Sequence, residues 1–199
     1  MKLIQVLGIV GFSLLAFASS AYPGMQPKVS SASQSTIDKI NVLAHGFPLQ
    51  QVAFADGQGQ PHTFEQYHGK IVLVNMWATW CPPCVRELPA LQRFAHKFDP
   101  SQFVMLPISI DQGGKPQVDA FLADRGITDF SSFYDPQMAL DAIFPLDTIP
   151  ATFILDGQGT LIAFVRSFVD WDDPQAVELI EGFIAKEQQR QASVAALAK

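Results

Sequence analysis

The body of the chain alternates between short apolar runs and longer stretches in which apolar residues recur every three or four positions. The run IVLVNMW, residues 71–77, is apolar on both alternating faces apart from Asn75. That is the pattern of a central strand covered on both sides. Beyond it, Val85, Leu88, Leu91, Phe94, Ala95 and Phe98 fall at helical spacing, which predicts an amphipathic helix. FVMLPISI, residues 103–110, predicts a second strand. Pro107 within it should force a bulge or an early end to pairing, because proline cannot donate to a ladder. Pro116 opens a second predicted helix that runs to Arg125 and stops at Gly126. A short helix is expected over 137–143, then strands over 151–155 and 161–168. The last helix should start near Pro174, capped by Asp172 or Asp173. DGQG occurs at 56–59 and again at 156–159, each time between strand-like runs, so both read as hairpin turns. Strands alternating with helices predict an α/β fold, a central mixed β-sheet flanked by helices, with an N-terminal β-hairpin extension.

The two ends break this pattern. Lys2 precedes an apolar run, residues 3–18, and small residues follow at Ala16-Phe17-Ala18 and Ser19-Ser20-Ala21. Residues 1–21 therefore read as a cleaved signal peptide, with an uncleaved membrane anchor as the alternative. The run is shorter than the roughly 20 residues of a spanning helix, which favours the signal. In either case the folded part is expected outside the cytoplasm, in the periplasm, touching a membrane only if the segment stays uncleaved. Residues 22–40 begin with a Ser- and Pro-rich stretch and are expected to form a flexible linker. The folded domain is placed at 41–187. Residues 188–199 are expected to be a C-terminal tail, a frayed extension of the last helix. The chain has 199 residues, 48% hydrophobic and 16% charged, enough for one globular domain with tails. Its net charge is −6 with no basic block, so no nucleic-acid partner is expected.

Cys81 and Cys84 are the only cysteines, and they sit where the buried strand meets the first turn of the helix. A zinc site would need two more ligands from scattered histidines, which show no ligand spacing. Haem attachment would need a histidine where Val85 stands. A purely structural bridge closing so short a loop would constrain the unfolded chain little. The pattern favours a redox dithiol over these alternatives.

WCPPC after an apolar strand, Pro89 five residues past the second cysteine, and TIPATFIL far downstream resemble the thioredoxin superfamily. YHGKIVLVNMWATWCPPCVRELPAL, ISIDQGG and WDDPQAVELI resemble its exported TlpA and ResA-like branch, over roughly residues 47–184. The resemblance implies a thioredoxin-like fold and a thiol–disulfide oxidoreductase, with no cofactor beyond the Cys81–Cys84 pair and no metal. It implies that Cys81 is the exposed attacking thiol and Cys84 the resolving one. Pro82 and Pro83, placed with Trp80, Thr148 and Ile149 among the substrate-binding residues, lack N–H groups, so the Cys81 thiolate has fewer donors, which tilts the pair towards giving electrons; the alternative is that the two prolines only stiffen the turn. Asn75 departs from thioredoxin, which carries a buried acid there. Glu87 matches a glutamate of the ResA-like branch beside the active site; the alternative is a solvated carboxylate paired with Arg86 or Lys70. Pro150 is implied to be cis and catalytic, with Thr148 and Ile149 before it offering backbone to an extended substrate. Trp80 is expected to be an exposed platform for partners, Trp77 to be core, and Trp171 to pack as a C-terminal lid.

The implied partners are protein disulfides and a membrane-embedded thiol electron donor that recharges the pair. Family members reduce apocytochrome c or copper-centre assembly proteins. A monomer is expected. An oxidant or isomerase on the same fold is one alternative, and a copper-binding assembly module is another. The latter would need a third soft or imidazole ligand.

Overall fold

The computed structural model describes residues 35–197. The signal sequence and most of the linker expected before them lie outside the described residues. In chain order the strands are β1 (Asn41–Pro48), β2 (Phe54–Ala55), β3 (Pro61–His62), β4 (Ile71–Trp77), β5 (Phe103–Ser109), β6 (Phe133–Tyr134), β7 (Ala151–Leu155) and β8 (Thr160–Val165). The helices are α1 (Pro82–Ala95), α2 (Gly114–Asp124) and α3 (Pro174–Leu197). The strands form one mixed sheet in the order β1-β8-β7-β4-β5-β6-β2-β3.

All seven residues of β4 are buried, as its apolar run requires. It pairs in parallel with β5 and antiparallel with β7. A parallel pair needs a crossover, and α1 supplies it. Phe94 on α1 packs against Phe103 of β5 and against Trp171, with ring centroids 6.0 and 5.2 Å away. Trp171 and Trp77 are both fully buried. The predicted α/β class and mixed sheet are both present.

The two DGQG turns are built alike. Asp56 Oδ1 accepts from the amides of Gln58 and Gln60, and Asp156 Oδ1 from those of Gln158 and Thr160. Gly59 and Gly159 have φ of 77° and 76°, a conformation that disfavours a Cβ. The first turn joins β2 to β3, so the expected hairpin lies at one edge of the sheet.

Several details differ from the sequence pattern. β1 is not predicted by it, because nearly all its residues are exposed and no apolar face repeats. It adds to β8 at the other edge, with a register irregularity between Val42 and Phe47. Pro107 causes neither a bulge nor an early end against β4, where β5 pairs through all seven residues. Its carbonyl accepts from Ser132 Oγ at 3.1 Å, on the side away from β4. The missing N–H shares that side, and β6 begins only at Phe133, so no ladder bond is lost. Residues expected in the linker form a 3₁₀ turn, Thr36–Lys39, with Ile37 buried. Ser35 Oγ donates to Asp173, and Thr36 Oγ1 accepts from the Asp170 amide. Asp173 also caps α3 through the Gln175 amide at 2.9 Å. The helix expected over 137–143 is a 3₁₀ turn, Ala139–Ala142. α3 continues unbroken to Leu197, and Gln191 fastens it to the Gly69 carbonyl.

Candidate active site

The apolar strand β4 ends at Trp77, the chain turns through Ala78–Trp80, and α1 opens at Pro82. Proline suits the first helical turn, whose N–H groups have no partner in the helix. Cys81 is the N-cap of α1, in an extended conformation. The structure holds Cys81 and Cys84 as a disulfide, Cα atoms 5.3 Å apart. The Cys84 amide donates to Cys81 Sγ at 3.3 Å. Pro82 and Pro83 have no amide proton to add. Cys81 is 5% exposed and Cys84 1%, so Cys81 is the more accessible residue but is far from fully open. Trp80 beside it is 62% exposed.

Glu87 returns to the helix face of Cys84 one turn later. It is fully buried rather than solvated. Its Oε2 accepts from the Val169 amide at 3.0 Å and its Oε1 from Asn75 Nδ2 at 3.2 Å. Arg86 does not pair with it; its guanidinium lies over the Phe168 ring at 4.3 Å. Burial disfavours the carboxylate and pushes the Glu87 pKa up to about 7. The Val169 amide, the Asn75 amide, the nearby Trp171 indole and the Arg86 charge hold it down in part. The Trp171 N–H itself has no hydrogen-bond partner within range among the described residues, so the two amides are the donors that hold Glu87. Asn75 Nδ2 donates as well to Thr152 Oγ1 on β7, at 3.1 Å. Asn75 Oδ1 is left without a partner among the described residues.

The Ile149–Pro150 peptide is cis, and Pro150 is buried at the head of β7. Thr148 is exposed and Ile149 half-buried. No turn or loop hydrogen bond holds their peptide groups among the described residues. Thr148, Ile149 and Trp80 line one cavity. Pro82 and Pro83 are exposed at the opening of α1 and do not line it. Among the described residues no group of three or more His, Cys, Asp or Glu side chains is placed to hold a metal ion.

The sequence pattern misses one strong anchor of this site. Asp111, within the quoted ISIDQGG, is fully buried. It accepts from the Thr79 amide at 2.9 Å, Thr79 Oγ1 at 2.7 Å, Ser109 Oγ at 2.9 Å and Gln117 Nε2 at 2.7 Å. The carboxylate thus ties the turn before Cys81 to the end of β5 and to α2. An acidic residue after a strand gives no hint in sequence that two of its donor groups, both on Thr79, lie 32 positions away. We predict that Asp111→Ala lowers unfolding free energy by about 3 kcal/mol, since it leaves the buried Ser109 hydroxyl and the half-buried Thr79 amide and hydroxyl without their acceptor. Urea unfolding of the oxidised protein measures it, and a loss under about 1 kcal/mol would show that water replaces the carboxylate.

The chain is similar to known proteins over this whole region. The AhpC/TSA family matches residues 42–164. The thioredoxin-like protein YneN of Bacillus subtilis is 32% identical over 160 residues, covering 80% of this chain and 82% of that protein. The thiol-disulfide oxidoreductase ResA of Geobacillus thermodenitrificans is 26% identical over 131 residues, covering 66% of this chain and 74% of that one. Among solved structures, a secreted thiol-disulfide isomerase from Corynebacterium glutamicum has the same fold. It superposes with a TM-score of 0.63 at 19% identity, covering 83% of this chain and 98% of its own.

Proposed function

The chain belongs to the AhpC/TSA family and is a thiol–disulfide oxidoreductase, and we propose that it works as a reductase of protein disulfides in the periplasm. One observation carries the direction of electron flow. Among the described residues only the Cys84 amide reaches Cys81 Sγ, because the two residues between the cysteines are prolines. A thiolate with one backbone donor is poorly stabilised, so the dithiol gives up its electrons readily.

In the proposed cycle the Cys81 thiolate attacks one sulfur of a substrate disulfide. That bond breaks, the first substrate thiolate leaves and takes a proton, and a mixed disulfide forms. Cys84, deprotonated, then attacks Cys81 Sγ. The second substrate thiolate leaves, and the Cys81–Cys84 disulfide remains. Two electrons and two protons pass from the dithiol to the substrate. Glu87, buried on the Cys84 face and titrating near neutrality, is the group we assign to take the Cys84 proton. Thr148 and Ile149 give their free backbone to the extended substrate segment, in the manner of strand addition. A membrane-embedded dithiol donor restores the reduced form.

The sequence resemblance to the exported TlpA and ResA-like branch supports apocytochrome c or copper-centre assembly proteins as substrates. The apolar run after Lys2 supports export. No described helix is long and apolar enough to cross a membrane.

Equilibration with glutathione tests the reading. A potential near or below about −250 mV fits a reductase, and one near −120 mV would make the protein an oxidant instead. Pro83→His should raise the potential by about 30 mV or more, since it restores a backbone N–H near Cys81 and adds an imidazole. The fold should accept it, because this exposed position lies in the first helical turn. A folded variant with an unchanged potential would show that the prolines act by stiffening the turn.

A further inference from the structure

At Trp80, the residue before Cys81, lies a cavity of about 620 Å³, walled by Trp80, Ile110, Pro136, Met138, Leu146 and Ile149. Met138 is unusual there. Its φ of 53° and ψ of 38° are left-handed, and it is the only non-glycine residue with positive φ among the described residues. Glycine or asparagine is the ordinary occupant of such a position. A methionine persists only if its surroundings over-determine the turn.

They do. The buried Asp135 carboxylate accepts from the amides of Ala139 and Leu140, each at 2.8 Å, and its carbonyl accepts from the Met138 amide at 3.0 Å. Held this way, Met138 stays 38% exposed at the wall of the cavity, while Trp80 is 62% exposed at another. Two large apolar side chains left open to solvent at one concavity mark a contact site rather than core packing. The cavity offers no free charge. Asp147, its single acid, is bound to Arg166 at 2.6 Å, and Gln112 and Gln137 are neutral. The free peptide groups of Thr148 and Ile149 border the same space. An extended segment paired there would send alternate side chains into the cavity.

We propose that Trp80 and Met138 grip one bulky, uncharged apolar side chain next to the substrate's reacting cysteine, so that the protein prefers disulfides with apolar flanks. This rests on the oxidoreductase reading. Methionine suits the task because its flexible thioether side chain adapts to differently shaped partners. Trp80 supplies a rigid face, as aromatic anchors do.

The test uses the reduced full chain and two synthetic peptide disulfides that differ only in leucine or serine beside the cysteine. For the native protein, kcat/KM should favour the leucine peptide by about tenfold, the worth of one buried aliphatic side chain less the part already covered. Met138→Gly should cut that preference about fivefold. Its melting temperature should not fall, because glycine adopts the left-handed conformation freely. Met138→Asn, which also tolerates that conformation, should give the same loss, and Met138→Leu should keep the preference. A preference that survives both Met138→Gly and Met138→Asn overturns the inference. So does a native protein that reduces both peptides equally, although the oxidoreductase reading then stands. A reduced native protein that cleaves neither peptide sinks that reading itself.

Discussion

Replacing Cys81 with serine is expected to abolish disulfide exchange, and replacing Cys84 with serine to leave a protein that accumulates mixed disulfides. The reasons differ for the two sulfurs. Cys81 is the more accessible, caps α1 and receives the Cys84 amide, so any incoming sulfur meets it first. Its thiolate also lies at the positive end of the helix dipole. A serine hydroxyl there is no nucleophile at neutral pH, so turnover should fall by at least about a thousandfold. Cys84 is 1% exposed and lies one turn inside. Without it the first exchange proceeds and the second does not, so the substrate stays attached. Non-reducing electrophoresis of the two variants after expression shows which one carries adducts, and mass spectrometry identifies them. Adducts on Cys81→Ser, or equal alkylation of the two thiols in the reduced protein, would reverse the assigned roles.

Glu87→Gln should make the oxidised protein more stable at pH 8 and slow disulfide reduction by the reduced protein at pH 7. The folded pKa, about 7, lies above the ordinary 4.5. Between these values the folded carboxyl keeps its proton while the unfolded one loses it. Stability is therefore full below pH 4.5 and falls as pH rises to about 7, by about 3 kcal/mol at 1.36 kcal/mol per unit. Glutamine has no proton to lose and escapes this fall. It should also fit. Its carbonyl can accept from the Val169 amide, and Asn75 can turn its unpartnered oxygen towards the new NH₂. One Asn75 amide atom lacks a partner in either orientation. The exchange rate should drop about a hundredfold at pH 7, the usual worth of a positioned proton acceptor. Urea unfolding at pH 5 and pH 8 gives the first number, and peptide reduction across that range gives the second. A variant that loses stability with pH as the native protein does would mean that Glu87 is not the titrating group. An unchanged pH–rate profile would leave Glu87 a structural residue.

What the sequence determined by itself was local. The apolar run of β4, the helical spacing of α1 and the paired DGQG turns each obey short-range rules, because strand, helix and turn chemistry reach only a few residues along the chain. The cysteine pair was legible for the same reason: strand, two prolines and helix start are contiguous. β1 was not, because an exposed edge strand needs no apolar face and its pairing with β8 lies far along the chain. The tertiary structure alone decided how the site is held. Glu87 is buried because Asn75, Val169 and Trp171 close over it from β4 and from the segment before α3, and no spacing along α1 tells a covered glutamate from a solvated one. Asp111 reaches back to Thr79 across 32 residues, and Asp135 holds Met138 in a left-handed turn at the cavity that Trp80 lines. Burial and long-range hydrogen bonds depend on which elements meet in space, and those meetings set the pKa of Glu87 and the shape of the groove.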